Sequence, residues 1–286
     1  MSELDRIDSH LHLWDPGTGW YDWMSSEFAT IAAPFDADDA WEELSRNAFT
    51  GAVIVQGCTR IEETRLLLSH AEENEFIQAV IGWVDLTDPA VAETIACLAD
   101  GPGGRFLAGF RHPGLFEAAD DWISRPEIVR GIAAVGTGGR CFELLVTPAQ
   151  LPAATSVVRA LPSMTFVLDH IGEPDIANGR YQPWAAALAD IAREPNVYCK
   201  FSGMATHADW ARWEVADLRR YADHVLEVFG PSRIMYGSDW PYCTLAATYD
   251  EQLAATTSLL APLSGAERAL VMGDTAAAVY RVRTRA

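Results

Sequence analysis

The sequence predicts a (β/α)8 barrel, a TIM-type fold, that occupies the whole chain, residues 1–286. Eight short apolar runs follow one another, and most of them precede a segment with helical periodicity. Most runs are continuously apolar, which is typical of parallel strands covered on both faces. The chain is 49% hydrophobic and has no linker-like stretch, so we expect a single domain. A doubly wound open sheet is the alternative, but it would place a Gly-rich nucleotide loop after the first strand, and none is present.

The strands are predicted from the apolar runs and from the turn residues that bound them. Residues 7–14 alternate apolar and polar side chains until Asp15-Pro16-Gly17 breaks the strand. The other strands are predicted at 51–56, 79–86, 107–112, 141–146, 165–171, 197–203 and 233–239.

Helices are predicted where apolar residues recur at helical spacing. They cover 38–47, 62–75, 126–135, 148–160, 184–193, 208–229 and two segments after the last strand. A further helix is predicted to open with Asp88 as N-cap and Pro89 in its first turn. The Gly-rich runs at 101–104 and 136–139 end two helices, and residues 19–24 (GWYDWM) form an aromatic loop.

Charge and cysteine content exclude several classes of protein. With 21 Lys+Arg and 40 Asp+Glu, the formal net charge is -19, so neither a nucleic acid nor an anionic membrane surface is an expected partner. We find no apolar run of the roughly 20 residues that span a bilayer, and the polar start of the chain lacks the apolar region of a signal peptide. Five scattered cysteines without a Cys-x-x-Cys pair predict reduced thiols and a cytoplasmic protein. The expected partner is a small-molecule substrate, with a homo-oligomer left open.

His10 and His12 are the first candidates for chemistry. Residues two apart on a strand point to the same side, so the two imidazoles project together. On a stiff strand they can chelate a divalent metal with little ordering cost. The alternative is a pair of hydrogen-bonded core histidines.

Ionisable residues also gather at the carboxyl ends of the other predicted strands, where the active site of such a barrel lies. They are Arg111, His112, Glu143, Asp169, His170, Lys200 and Asp239. Buried ionisable groups are costly unless they are paired or bind a metal, so their convergence indicates a site.

Six stretches carry a family resemblance: IDSHLHLWDP at 7–16, GWVDL at 82–86, GFRH at 109–112, VLDHIGEP at 167–174, VYCKFSG at 197–203 and IMYGSDWPYC at 234–243. In this order they resemble the amidohydrolase superfamily, specifically the lactonase branch that includes sugar-lactone hydrolases and 2-pyrone-4,6-dicarboxylate lactonase. The resemblance implies a distorted (β/α)8 barrel. It also implies that His10, His12, His170 and Asp239 take the family's metal-site positions. Members of this branch are thought to work with or without a metal, so occupancy stays open.

The residues themselves agree with one metal at most. No lysine lies on the fourth or fifth strand, so a carbamylated-lysine bridge between two metals is not expected. Three imidazoles and one carboxylate suit Zn²⁺ or a similar divalent ion, which lowers the pKa of water to roughly 7. Asp239 can take the proton of the attacking water and return it to the leaving alkoxide. Asp8 could orient a ligand histidine.

The remaining candidates are expected to contact the substrate. Arg111, His112 and Lys200 could stabilise the oxyanion that develops on a lactone carbonyl. Trp14 and Trp240 should wall the pocket, with Trp20 and Trp23 as a lid. Glu143 and His207 complete the predicted substrate-binding set, although a structural ion pair of Arg111 with Glu143 or Asp85 is an alternative.

The predicted activity is hydrolysis of a cyclic ester, a sugar-derived lactone, by metal-activated or Asp239-activated water. A dicarboxylate would need more than one arginine, and Arg111 alone is evident. The alternatives are a metal-dependent decarboxylase, hydrolysis of an aromatic dicarboxylate lactone, and a barrel that binds a ligand without catalysis.

Overall fold

The computed structural model describes residues 6–282, and within them eight parallel strands form one sheet in chain order. The strands β1 to β8 are Ile7–Leu11, Gly51–Val55, Ile77–Gly82, Leu107–Pro113, Cys141–Leu145, Phe166–Leu168, Val197–Phe201 and Ile234–Tyr236. Beyond the end of β8, the backbone N–H of His12 donates to the carbonyl of Trp240 at 2.7 Å, and that of Asp239 donates to the carbonyl of His10 at 2.8 Å. The first and last strands therefore meet, and the predicted (β/α)8 barrel is confirmed as a nearly closed one.

Helices connect the strands. The helices α1 to α8 are Ala37–Arg46, Ile61–Glu73, Val91–Asp100, Pro126–Val135, Leu151–Ala160, Trp184–Ile191, Val215–Phe229 and Tyr249–Leu259. Two shorter helices, α9 (Gly265–Ala269) and α10 (Thr275–Tyr280), end the described chain. None of the described helices is long and apolar enough to cross a membrane.

Helix α5 begins at Leu151 rather than at 148, and two further helix starts differ from the sequence-based expectation. Asp88 is not the N-cap of α3. Its carboxylate accepts from the N–H of Ala90 in a turn, and the helix begins at Val91. Helix α7 begins at Val215 rather than near 208. Asp209 accepts from the N–H of Ala211 and stops helix formation there, and the capping box of Glu214 with Asp217 starts the helix.

Most strands end earlier than predicted, and the segments that follow β6 and β8 carry site residues. The chain leaves β6 through a short 3-10 turn, Asp169–Gly172, in which His170 has a φ of 47°. After β8, Asp239 has a φ of 61°. A positive φ is uncommon for residues other than glycine and is costly unless the surroundings enforce it, so both side chains are held in fixed directions.

The interior of the barrel separates from the layer between sheet and helices. Val53 and Val55 belong to an inner apolar cluster, whereas Ala52 and Ile54 pack toward the helices. This alternation follows from the period of two along a strand. Tyr280 of α10 joins the inner cluster, so the last helix contributes to the filling of the barrel.

Candidate active site

Five predicted site residues meet where strands end. His10 lies on β1 and His12 directly follows that strand, Arg111 comes from β4, His170 from the turn after β6 and Asp239 from the segment after β8. Each side chain is buried, yet four of the five line a common cavity, with His10 lying just beneath it. The structure thus brings together all four residues expected at the metal positions, with Arg111 beside them.

Two glycines make room for the histidines. A Cβ atom on Gly237 would lie 2.7 Å from Cβ of His10, and one on Gly203 would lie 2.7 Å from Cβ of His170. Real Cβ atoms are essentially never this close. Gly203 also has a φ of +71°, which favours glycine. These positions therefore fix the depth of both imidazoles.

The donor atoms are close enough to serve one metal ion. One donor atom each from His10, His170 and Asp239 lies within 4.8 Å of the others. Nε2 of His12 is 3.2 Å from Nε2 of His10 and 3.4 Å from Oδ1 of Asp239. Three nitrogen donors and one carboxylate suit a zinc-like divalent ion.

The protonation states also fit a metal. Nδ1 of His12 lies 2.7 Å from the carbonyl of Val55, and because a carbonyl only accepts, this nitrogen carries the proton and leaves Nε2 free as a ligand. Burial lowers the pKa of His12. Burial, assisted by the Lys200 ammonium, holds the pKa of His10 well below its usual value. Both imidazoles are therefore neutral near pH 7, as metal ligands must be.

Asp239 is ionised. Burial raises the pKa of its carboxyl, but His170, His12 and Arg111 together outweigh that effect and leave the pKa below its usual value. A carboxylate that lines the cavity beside the imidazoles can accept a proton from water.

A charged network lies under the donors. The Nζ atom of Lys200 is 2.6 Å from Oε2 of Glu143, 3.2 Å from Oδ1 of Asp169 and 3.0 Å from Nδ1 of His10. Arg111 donates to Oδ2 of Asp169 at 3.0 Å. Each buried charge therefore has an opposite partner.

Two more contacts complete this network. Tyr280 donates to Oε1 of Glu143 at 2.6 Å. Nδ1 of His10 lies 3.5 Å from Oδ1 of Asp169, the oxygen that also faces the Lys200 ammonium. A metal-bound His10 would need such an acceptor for its second ring nitrogen, which is a further sign that the residues suit the ion.

Asp8 acts on backbone rather than on a histidine ring. Its Oδ1 accepts from the N–H groups of His10 at 3.1 Å and Ser238 at 2.9 Å, and its Oδ2 accepts from the Tyr249 hydroxyl at 2.9 Å. It therefore joins β1 to the segment after β8 at the level of the site. Burial raises the pKa of Asp8 to about 6.

A cavity of about 380 Å³ opens over the cluster. Its wall is strongly aromatic: the Trp14 ring stacks on His12 at 5.4 Å, and Trp23 lies edge-on to both Trp14 and Phe28. Trp20 lines the cavity as well. The lining has further polar groups that sequence reasoning did not single out: Asp22, Gln56, Thr59, Glu173, Thr206 and Tyr242.

His207 lines the same cavity, as predicted for a substrate-binding residue, and has an acidic partner. Its Nε2 lies 3.2 Å from Oε2 of Glu173. Burial lowers the pKa of His207, but the carboxylates of Glu173, Asp239 and Asp175 raise it by more than burial lowers it, so the pKa lies above its usual value. The raised pKa favours the protonated form of an imidazole held by a carboxylate.

Two residues predicted to contact the substrate lie away from the cavity because their side chains point elsewhere. His112 follows Arg111 on β4 and faces the other side of the strand, where Trp83 donates to its Nδ1 and Glu117 pairs with its Nε2 at 3.0 Å. Trp240 packs in the core, edge-on to Phe35 at 5.3 Å. Neither is among the described residues that line the cavity.

Two others lie too deep. Glu143 and Lys200 are fully buried and pair with each other below the cavity. Neither side chain therefore reaches the position expected for direct contact with the substrate or the oxyanion. Arg111 does line the cavity, and its partners are Asp169, the carbonyl of Gln56 and Nε2 of His10 rather than the alternatives Glu143 or Asp85. Asp85 instead accepts from Thr87 in a turn.

Comparison with known proteins agrees with this geometry. The sequence model of the family described as Amidohydrolase matches residues 7–282. An L-fucono-1,5-lactonase of Burkholderia multivorans is 36% identical, with 96% of this chain and 95% of that protein covered. An L-fucono-1,5-lactonase of Burkholderia ambifaria is also 36% identical, with 97% and 96% covered.

A solved structure shows the same architecture. The crystal structure of an amidohydrolase from Burkholderia multivorans with bound zinc is 35% identical, covers 98% of this chain and 100% of that one, and superposes with a TM-score of 0.92. The sequence match spans nearly the whole described chain, and the strand order is that of the predicted barrel. The chain belongs to the amidohydrolase family.

Proposed function

We propose that this protein hydrolyses a neutral sugar-derived lactone, with L-fucono-1,5-lactone or a close aldonolactone as substrate. The observation that carries the proposal is the cavity, which joins an ionised Asp239 and the neutral imidazole of His12 to an aromatic wall. Aromatic faces suit the apolar side of a sugar ring. The two lactonases that are 36% identical over nearly full length support the same substrate class.

The charges in the cavity favour a neutral substrate. Arg111 is the only Lys or Arg side chain among the described lining residues, and it already pairs with Asp169. The lining also includes Asp22 and Glu173. A dicarboxylate would meet these carboxylates with only one guanidinium to hold it, which disfavours the aromatic dicarboxylate lactone.

Asp239 would act as general base. Its carboxylate accepts a proton as the water oxygen bonds to the lactone carbonyl carbon. The guanidinium of Arg111 would donate to the oxyanion that develops on the carbonyl oxygen. When the ring C–O bond breaks, Asp239 returns the proton to the leaving alkoxide, and the product is the open-chain hydroxy acid.

The metal positions have a defined place in this proposal. His10, His12, His170 and Asp239 would hold one divalent ion, with zinc as the candidate because a zinc-bound relative shares the fold at 35% identity. Such an ion would polarise the lactone carbonyl and would lower the pKa of a bound water molecule to about 7. Asp169 would keep His10 in the ligating tautomer through Nδ1.

The test is a proton-release assay of the purified protein on a panel of aldonolactones, beside 2-pyrone-4,6-dicarboxylate. Turnover of a sugar lactone supports the proposal. Turnover of the dicarboxylate alone, or carbon dioxide release from a carboxylated ring compound without lactone hydrolysis, would replace it.

A further inference from the structure

Glu63 is a buried carboxylate that no step of the proposed hydrolysis uses. It lies in the first turn of α2, has no exposed surface and does not line the cavity among the described residues. A carboxylate is rarely buried unless its oxygens are well paired, so its partners show what it does.

Both oxygens of Glu63 accept hydrogen bonds from the loop that follows β2. The N–H of Gly57 lies 3.0 Å from Oε1 and 3.1 Å from Oε2, and the N–H of Cys58 lies 3.0 Å from Oε2. Gly57, Cys58 and Thr59, here called the β2 loop, all line the cavity. Glu63 therefore fixes one wall of the cavity from behind.

The same carboxylate also reaches a second part of the cavity wall. The hydroxyl of Tyr21 donates to Oε1 of Glu63 at 2.9 Å, and the Tyr21 side chain is buried. Tyr21 lies within residues 20–23, here called the aromatic segment, of which Trp20, Asp22 and Trp23 line the cavity. The indole of Trp23 donates to the carbonyl of Gly57 at 2.8 Å, which is a second link between the two walls.

The chemistry of these contacts requires a carboxylate. The partners of Glu63 are donors, and they include two backbone N–H groups and one phenolic O–H. A glutamine of the same shape has one acceptor oxygen and turns an NH2 group toward the remaining donors. The isosteric change would thus break at least one link between the walls and leave a buried donor without a partner.

We propose that Glu63 is a positioning residue that holds the aromatic segment and the β2 loop in the shape that binds the substrate. It acts on affinity and not on bond breaking, because Asp239 and Arg111 lie on other elements and do not touch it. The substrate assignment rests on the function proposed above, whereas the coupling of the two walls does not.

The experiment compares Glu63→Gln and Tyr21→Phe with the unmodified protein. On a hydrolysed aldonolactone, Glu63→Gln should raise KM about tenfold or more and leave kcat within about threefold, since a loss confined to binding appears in KM. Tyr21→Phe should raise KM by less, and the double variant should be no worse than Glu63→Gln, because both changes break the same link. Amide hydrogen exchange of residues 20–23 should quicken at least about tenfold in both single variants.

Glu251→Gln is the matched control. Glu251 is also a first-turn carboxylate that accepts locally, from the N–H and hydroxyl of Thr248, but it caps α8 away from the cavity. This control should lower thermal stability without changing KM or exchange at residues 20–23. An unchanged KM in Glu63→Gln, with a stability loss like that of the control, would overturn the proposal.

Hydrogen exchange separates this proposal from the proposed activity. If the unmodified protein hydrolyses none of the lactones, the substrate assignment fails, and faster exchange of residues 20–23 in Glu63→Gln would still establish the coupling. Unchanged exchange there overturns the coupling whatever the substrate is.

Discussion

The ammonium of Lys200 lies 3.0 Å from Nδ1 of His10, on the opposite edge of the ring from the nitrogen that faces His12 and Asp239. Neither Lys200 nor His10 has exposed surface, and Glu143 accepts from the same ammonium at 2.6 Å. A metal-position histidine is therefore supported from below by a buried ion pair. Several consequences of this arrangement can be measured.

Removal of the Lys200 charge should destabilise the protein. Lys200→Met leaves Glu143 buried without its cation, and the loss of one partner of a buried pair costs about 3–5 kcal/mol. Urea unfolding measures the change. The double variant Lys200→Met/Glu143→Gln should recover part of the loss because no buried charge is then left alone. Equal stability of the single variant and the unmodified protein would show that the pair contributes nothing.

The protein should bind one zinc ion per chain and not two. A second group of suitable ligands, His10, Glu143 and Asp169, surrounds the Lys200 ammonium, which repels a second cation. Elemental analysis after zinc loading and gel filtration should give a ratio near one. His12→Ala should lower zinc affinity strongly, whereas His70→Ala, on α2, should not. Two ions in the unmodified protein would contradict this reading.

Gly237→Ala tests how tightly the site is packed. The added methyl group would lie 2.7 Å from Cβ of His10, so β1 or the segment after β8 must shift, at a cost of about 1–3 kcal/mol. Zinc affinity and hydrolysis should fall together. Gly265→Ala is the control, because nothing lies within 4 Å of the position of its Cβ atom and α9 begins there. Full activity of Gly237→Ala would show that the site can accommodate the added methyl group and is not tightly packed there.

Asp8 should make stability depend on pH. Its pKa is raised from 3.8 to about 6, so the folded state favours the protonated form, and this contribution is complete below about pH 4 and lost as the pH rises through 6. The stability of the unmodified protein relative to Asp8→Asn should therefore fall by about 1 kcal/mol between pH 5 and 7.5. Urea unfolding at both pH values measures the difference. A relative stability that rises over this range would contradict the assigned direction.

The barrel and the ionisable residues at its strand ends could be predicted from sequence for a definite reason. Parallel strands buried on both faces are apolar, so an ionisable residue at a strand end, such as His12, Arg111 or Asp239, is conspicuous in the sequence. The directions of side chains in the loops between strands are harder to predict from sequence. Trp14 lies two residues after His12 and Trp240 directly follows Asp239, yet Trp14 lines the cavity and Trp240 packs in the core.

Pairing within the network could not be predicted either. Whether Arg111 pairs with Glu143 or with Asp169 depends on side-chain direction in three dimensions. The sequence does not single out Glu63, because it lies on an amphipathic helix beside Glu62 and the pattern does not distinguish a buried carboxylate from a solvated one. The turn after β2 brings Gly57 and Cys58 back to it, which only the fold reveals.

The central claim is that Asp239 drives hydrolysis of a neutral sugar lactone, and a pH-indicator assay on L-fucono-1,5-lactone tests it most directly. The unmodified protein should release one proton per lactone opened. Asp239→Asn should lose about 10³-fold or more in kcat because its amide cannot accept the proton of water, while circular dichroism stays unchanged. Asp250→Asn, on the surface of α8, should retain full activity. Undiminished turnover by Asp239→Asn, or none by the unmodified protein on this or any other aldonolactone, would contradict the account.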